Sequence, residues 1–196
     1  MIAVIDYKTG NLFSLTAALE RLDEEYVITS SQEKILAADH VILPGVGEAS
    51  NAMAALREKG LDSVIPIIKA PILGICIGMQ LMCKSSEEGG AKCLGIFDNV
   101  VKKISGKEIK VPHMGWNSIT QLKTGLFEGI DDGSYLYFVH SYAPETGAST
   151  IALTDYGVAF SSALSKDNFF GTQFHPEKSG EVGERILKNF VNIKIR

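Results

Sequence analysis

A chain of 196 residues with 45% apolar and 21% charged residues has the composition of one ordinary folded domain, with enough length to bury a real core, and not that of a disordered tract. Its formal charge of -4, from 19 Lys and Arg against 23 Asp and Glu without a basic run, leaves no electrostatic footprint for nucleic acid. No apolar run approaches the ~20 residues of a membrane helix, and Met1–Asp6 lacks the basic flank of a signal peptide.

In chain order, Ile2-Ala3-Val4-Ile5 is a short apolar run that predicts a strand ended by Asp6. Gly10-Asn11 then opens a helix with Leu12, Leu15, Leu19 and Leu22 at helical spacing. Tyr26-Val27-Ile28 and Val41-Ile42-Leu43 predict further strands, the latter stopped by Pro44-Gly45-Val46-Gly47, and a helix is expected from about Ala49 to Lys59. Pro71–Ile75 predicts a fourth strand and a helix begins at Cys76. Strand and helix alternating at this pitch predict an α/β fold with a parallel sheet, and uninterrupted apolar strands suit burial on both faces. After Gly90 the pattern changes to six strand-like segments, 98–104, 115–121, 135–142, 149–155, 157–164 and 168–174, which predict a mixed or antiparallel extension. A final amphipathic helix is expected from about Gly180 to Val191. With no repeat or linker, residues 1–196 are expected to form a single domain.

Gly74-Ile75-Cys76-Ile77-Gly78 carries the most chemical information. It has the form Gly-x-nucleophile-x-Gly between a predicted strand and a predicted helix, the context in which such an elbow holds a nucleophile at the end of a sheet. A helix N-terminus favours thiolate over thiol. A buried structural cysteine beside two packing glycines is the competing reading, and it is preferred for Cys83 and Cys93. Three cysteines suit a reducing, cytoplasmic setting. Cys76 and Cys83 would stand about 10 Å apart on a helix, too far for a disulfide, and the spacing is not that of a zinc site. Near the C-terminus, Gln173-Phe174-His175-Pro176-Glu177 supplies a base and an orienting carboxylate. An extended backbone would point His175 and Glu177 the same way, and Pro176 stiffens the link. Alone, His-Pro-Glu is more often a surface turn.

These motifs resemble those of the triad (class I) glutamine amidotransferases. The resemblance covers essentially the whole chain and narrows to the glutaminase subunits of imidazole glycerol phosphate synthase. The narrower markers are Asp6-Tyr7 with Gly10-Asn11-Leu12, Leu43–Gly47, His113-Met114-Gly115-Trp116-Asn117 and Tyr137-Phe138-Val139-His140-Ser141-Tyr142. A glutaminase of another triad amidotransferase pathway is the alternative. The family pattern usually has Phe two residues after the second Gly of the Pro-Gly-Val-Gly loop, where this chain has Glu48-Ala49.

The resemblance implies a three-layer, flavodoxin-like fold and a mechanism in which Cys76 attacks the side-chain amide of L-glutamine, His175 transfers protons and Glu177 orients His175. It implies oxyanion donors at the N–H groups of Ile77 and Val46, and substrate contacts at Gly45, Gly47, Gln80, Glu88, Ser141 and Tyr142. It also implies a heterodimer with a (β/α)8-barrel cyclase that receives the ammonia, contacted through Asn11, Met114, Trp116 and Lys178. From residues alone Trp116 suits a core as well as an interface, and Glu87-Glu88 suits a solvated turn. No metal or organic cofactor is implied. His40 reads as a structural histidine, and His113 and His140 carry no assigned chemistry.

Overall fold

The computed structural model describes residues 1–7, 12–106 and 109–194. The first half lays down β1 (Ile2–Ile5), α1 (Phe13–Arg21), β2 (Tyr26–Thr29), α2 (Gln32–Leu36), β3 (His40–Leu43), α3 (Ala49–Glu58), α4 (Leu61–Val64), β4 (Ile72–Ile75) and α5 (Ile77–Met82). The second half supplies β5 (Ser85–Ser86), β6 (Ala91–Lys92), β7 (Val100–Lys103), β8 (His113–Ser118), β9 (Tyr135–His140), β10 (Tyr142–Pro144), β11 (Thr150–Asp155), β12 (Ala159–Lys166), β13 (Phe169–Thr172) and α6 (Gly180–Asn192).

Seven strands form the main sheet in the order β11-β12-β13-β4-β3-β1-β2. The pairs among β2, β1, β3, β4 and β13 are parallel. Those joining β13, β12 and β11 are antiparallel. Of the six segments expected as a mixed or antiparallel extension, only 149–155, 157–164 and 168–174 join this sheet, as β11, β12 and β13, whereas 98–104, 115–121 and 135–142 form strands outside it. Every residue of β1, β4 and β13 is buried. Because successive side chains alternate faces, such burial requires cover on both sides.

A second sheet, β10-β7-β5-β6, and a separate β8–β9 ladder complete the strands. The short helices α2 and α4 and the two-residue strands β5 and β6 had no counterpart in the sequence reading; elements of two to five residues offer too few positions for a period to show. Helix α6 buries Gly183, Ile186, Leu187 and Phe190 along one stripe, each large apolar member contributing about 1.5–3 kcal/mol. A Cβ on Gly183 would meet the Pro176 carbonyl oxygen, so α6 lies hard against the turn at Pro176–Lys178.

The fold brings together the C-terminal ends of β3, β4 and β13, adjacent parallel strands from distant parts of the chain. The Pro44–Gly47 loop follows β3, Cys76 follows β4, and His175 comes three residues after β13. Ligand crevices of open α/β sheets lie at such strand ends.

Candidate active site

The chain reverses at Cys76, which adopts φ 53° and ψ −109° between β4 and α5. This positive φ strains an L-residue. The strain is held by backbone bonds on both sides, Cys76 N–H to Thr172 O at 2.7 Å and Gln80 N–H to Cys76 O at 3.1 Å. The two glycines allow the close approach. A Cβ on Gly74 would stand 2.7 Å from Met79 N, and one on Gly78 would overlap the Leu43 carbonyl oxygen. Gly45 belongs to the same packing, since its Cβ would lie 2.6 Å from Gly78 N and 2.8 Å from Ile77 Cβ. It supports the elbow from behind and is not among the residues lining the cavity at Cys76, whereas Val46 and Gly47 are.

His175 and Glu177 meet through a turn. Residues Pro176–Lys178 form a 3-10 turn with Pro176 at its start, in place of the extended segment expected from the spacing. Proline's fixed φ suits the first helical position, and Lys178 N–H closes the turn on His175 O at 3.0 Å. The turn folds the carboxylate back, so that Glu177 Oε1 lies 2.7 Å from His175 Nδ1. Tyr137 O accepts from His175 N–H at 2.9 Å. Ser179 Oγ donates to His175 O at 2.6 Å and accepts from Tyr137 N–H at 2.9 Å. Ser179 thus anchors the histidine backbone, a role sequence reasoning did not assign.

The other nitrogen of His175, Nε2, is buried without a hydrogen-bond partner of ordinary geometry. Burial works to lower the imidazole pKa. The neighbouring Cys76, and Glu177 through its hydrogen bond and charge, outweigh it and hold the value up at about 10. The imidazolium is therefore the favoured form, oriented by a carboxylate on one side and influenced by Cys76 on the other. Contacts to Nε2 that are loose in an unliganded site commonly tighten when substrate binds.

A cavity of about 300 Å³ opens on this pair. Cys76 and His175 line it together with Val46, Gly47, Ile77, Gln80, Glu88, Ser141 and Tyr142 from the sequence-derived set. Glu88 Oε2 accepts from Ala49 N–H at 2.8 Å at the start of α3. Burial pushes the Glu88 carboxyl pKa up, and the Ala49 N–H acts against that. The Glu48-Ala49 pair accounts for itself here. Glu48 accepts from Ser50 Oγ and Asn51 Nδ2 over the first turn of α3, while the small Ala49 is fully buried.

The cavity wall also includes Pro112, Val139 and His140, which the sequence did not nominate. His140 Nδ1 lies 2.9 Å from Tyr142 O, and its Nε2 lies 3.0 Å from His113 Nδ1. A carbonyl only accepts, so Nδ1 of His140 carries the proton. His113 Nδ1–H then donates to His140 Nε2, and His113 Nε2 accepts from Asn117 Nδ2 at 3.4 Å. Burial lowers the His113 pKa to about 4 and is the main cause that lowers His140 to about 3. Two neutral imidazoles in fixed tautomers thus back the cavity. His40 has a bland role, with Nε2 3.0 Å from Ile193 O and its ring edge-on to Phe190. Cys83 and Cys93 are free and buried, and burial raises both thiol pKa values.

In the β8–β9 ladder, His113, Leu136, Phe138 and His140 are buried, whereas Met114, Trp116 and Tyr135 are 63%, 56% and 60% exposed. Trp116 is thus a surface residue, its ring meeting Tyr137 edge-on at 6.1 Å. Lys178 is also exposed. Asn11 lies outside the described residues. Among the described residues, no group of three or more His, Cys, Asp or Glu is placed to hold a metal, and no helix is long and apolar enough to cross a membrane.

A buried Cys–His–Glu constellation on the elbow of an α/β sheet defines a class, and the family model described as glutamine amidotransferase class-I matches residues 3–193, so the chain belongs to that family. Among solved structures, that of a glutamine amidotransferase matches with a TM-score of 0.75 over 97% of each chain at 16% identity, a likeness of fold. More narrowly, the imidazole glycerol phosphate synthase subunit HisH of Bacteroides fragilis (strain YCH46) is 56% identical over 194 residues, covering 98% of this chain and 99% of that protein. The same subunit from Bacteroides thetaiotaomicron is 51% identical over equal shares of both.

Proposed function

We propose that this chain is the glutaminase subunit of imidazole glycerol phosphate synthase, a single glutaminase domain acting in the cytoplasm. The observation that carries the reading is that Cys76 and His175 line one cavity, with Glu177 held 2.7 Å behind the imidazole. Identities above 50% to HisH subunits over nearly whole chains support the particular pathway.

Cys76 Sγ attacks the side-chain amide carbon of L-glutamine, forming a C–S bond and a tetrahedral oxyanion. The N–H groups of Ile77 and Val46 are assigned to that oxyanion. The C–N bond then breaks, and the imidazolium of His175 gives a proton from Nε2 to the departing nitrogen, releasing ammonia. His175, now neutral, takes a proton from water as the water attacks the γ-glutamyl thioester. The C–S electron pair returns to sulfur and glutamate leaves. Glu177 holds the Nδ1–H tautomer throughout and stabilises the imidazolium. Glu88 is assigned to the substrate α-ammonium, and Ser141 and Tyr142 to the α-carboxylate, with Gly47 along the loop. Gln80 has donated both amide hydrogens within the protein, to Tyr142 O at 2.8 Å and Gln173 Oε1 at 2.9 Å, so its unpartnered Oε1 is the atom left for substrate.

Ammonia released into neutral water would be protonated and lost as a nucleophile, so a docked cyclase that takes it directly gives the reaction its use. Met114, Trp116 and Lys178, with Asn11, are assigned to that interface. The test is glutamine hydrolysis measured with and without the cyclase and its ribonucleotide substrate. A large increase on adding both is expected, with Cys76→Ala abolishing glutamine-dependent synthesis while sparing synthesis from added ammonia. Equal rates with and without the cyclase, or loss of the ammonia-driven reaction in Cys76→Ala, would count against this function.

A further inference from the structure

Gln173 follows β13 and is fully buried. Its main chain is pinned to the sheet by an N–H bond to Ser162 O at 2.9 Å. Its side chain leads to the sulfur, with Nε2 3.5 Å from Cys76 Sγ and Oε1 2.9 Å from Gln80 Nε2, which also donates to Tyr142 O at 2.8 Å.

The direction of this chain is decided at its far end. The Tyr142 carbonyl can only accept, so the NH2 group of Gln80 must face it. The second N–H of that group then points at Gln173, which must turn its carbonyl oxygen to receive it. The NH2 group of Gln173 is left facing the sulfur. A backbone carbonyl two side chains away thus sets which end of Gln173 meets Cys76.

We propose that Gln173 positions the nucleophile, its amide N–H hydrogen-bonding the Cys76 sulfur and holding it as a thiolate aimed into the cavity. The proposal rests on the reading of Cys76 as the nucleophile. Cys76 is only 5% exposed, so a thiolate there draws little from water and needs protein donors. The neighbouring Val139 O, 4.0 Å from Sγ, can accept from a thiol but offers a thiolate nothing. Gln173 supplies the donor that Val139 cannot. An acylated sulfur is a poorer acceptor, so the same N–H favours return of the electron pair to sulfur when the thioester breaks. The titratable groups on this cavity are His175 with Glu177 behind it, the neutral His140, Glu88 and Tyr142.

The test compares wild type with Gln173→Leu and the nearly isosteric Gln173→Glu. Alkylation of Cys76 by iodoacetamide is followed across pH by peptide mass mapping, which separates it from Cys83 and Cys93. Glutaminase kinetics are measured in the complex with the cyclase. Losing a hydrogen bond to a charged group should raise the pH of half-maximal alkylation by about one to two units and lower kcat about 10- to 100-fold. KM should stay within about threefold. Gln173→Glu, which fits the same space but as a carboxylate puts an acceptor beside the sulfur, should be impaired at least as much, with a lowered thermal midpoint because its charge is buried. A folded Gln173→Leu with wild-type alkylation and wild-type kcat would overturn the proposal. If Cys76→Ala is inactive in the same assay, that result removes Gln173 alone; if Cys76→Ala still hydrolyses glutamine, the nucleophile reading falls and the proposal with it.

Discussion

The buried pair His113 and His140 makes acid a specific threat to this fold. Both are neutral in the folded protein, with pKa values lowered to about 4 and about 3 chiefly by burial, while an unfolded histidine titrates near its ordinary 6.5. The unfolded chain therefore binds more protons below pH 6.5, and stability falls with pH from there until the folded values are reached. At about pH 5 the unfolded histidines are almost fully protonated and the folded ones are not. Each then removes about 2 kcal/mol relative to about pH 8, or about 4 kcal/mol for the pair. Because that pH is still above both folded values, the figure hardly depends on where they lie. It is a large share of a total stability of about 5–15 kcal/mol. His175 acts with the opposite sign. Its pKa is raised to about 10, so its contribution is full below pH 6.5 and is lost as pH rises through 10. It is common to wild type and variants and cancels in their difference. Urea unfolding followed by circular dichroism at about pH 8 and about pH 5, on wild type, His113→Gln and His140→Gln, gives the comparison. Each variant should lose about 2 kcal/mol less than wild type between the two pH values. Equal losses in all three would refute the claim that these histidines are buried neutral.

Two further outcomes follow from the elbow and the exposed face. Trp116→Ala removes a side chain that is 56% exposed, so folding stability should change by no more than about 0.5–1 kcal/mol. Its affinity for the cyclase by calorimetry should fall by about 2 kcal/mol or more, and unchanged affinity would remove Trp116 from the proposed interface. Gly78→Ala places a methyl group against the Leu43 carbonyl, which is fixed in a parallel strand pair. It should cost about 1–3 kcal/mol in urea unfolding and lower kcat by displacing Cys76; wild-type values for both would show that the elbow does not need glycine there.

The elements with the longest periodic signal were legible from residues alone. The apolar runs of β1, β3 and β4 and the stripe of α6 state their own burial, because a strand buried on both faces or a helix with one apolar side is a local pattern. The glycines around Cys76 announced a sharp turn for the same reason, since the need to remove a Cβ is written at the position itself. What the sequence could not show is who stands beside whom. Cys76 and His175 are brought together because β13 inserts next to β4, a choice made by the packing of the whole sheet. The 3-10 turn that folds Glu177 back, the neutral His113–His140 pair and the Gln80–Gln173 link to the sulfur all depend on that placement. Periodicity reports which side of an element avoids water. The partner of a buried polar atom is fixed only when distant segments have closed around it.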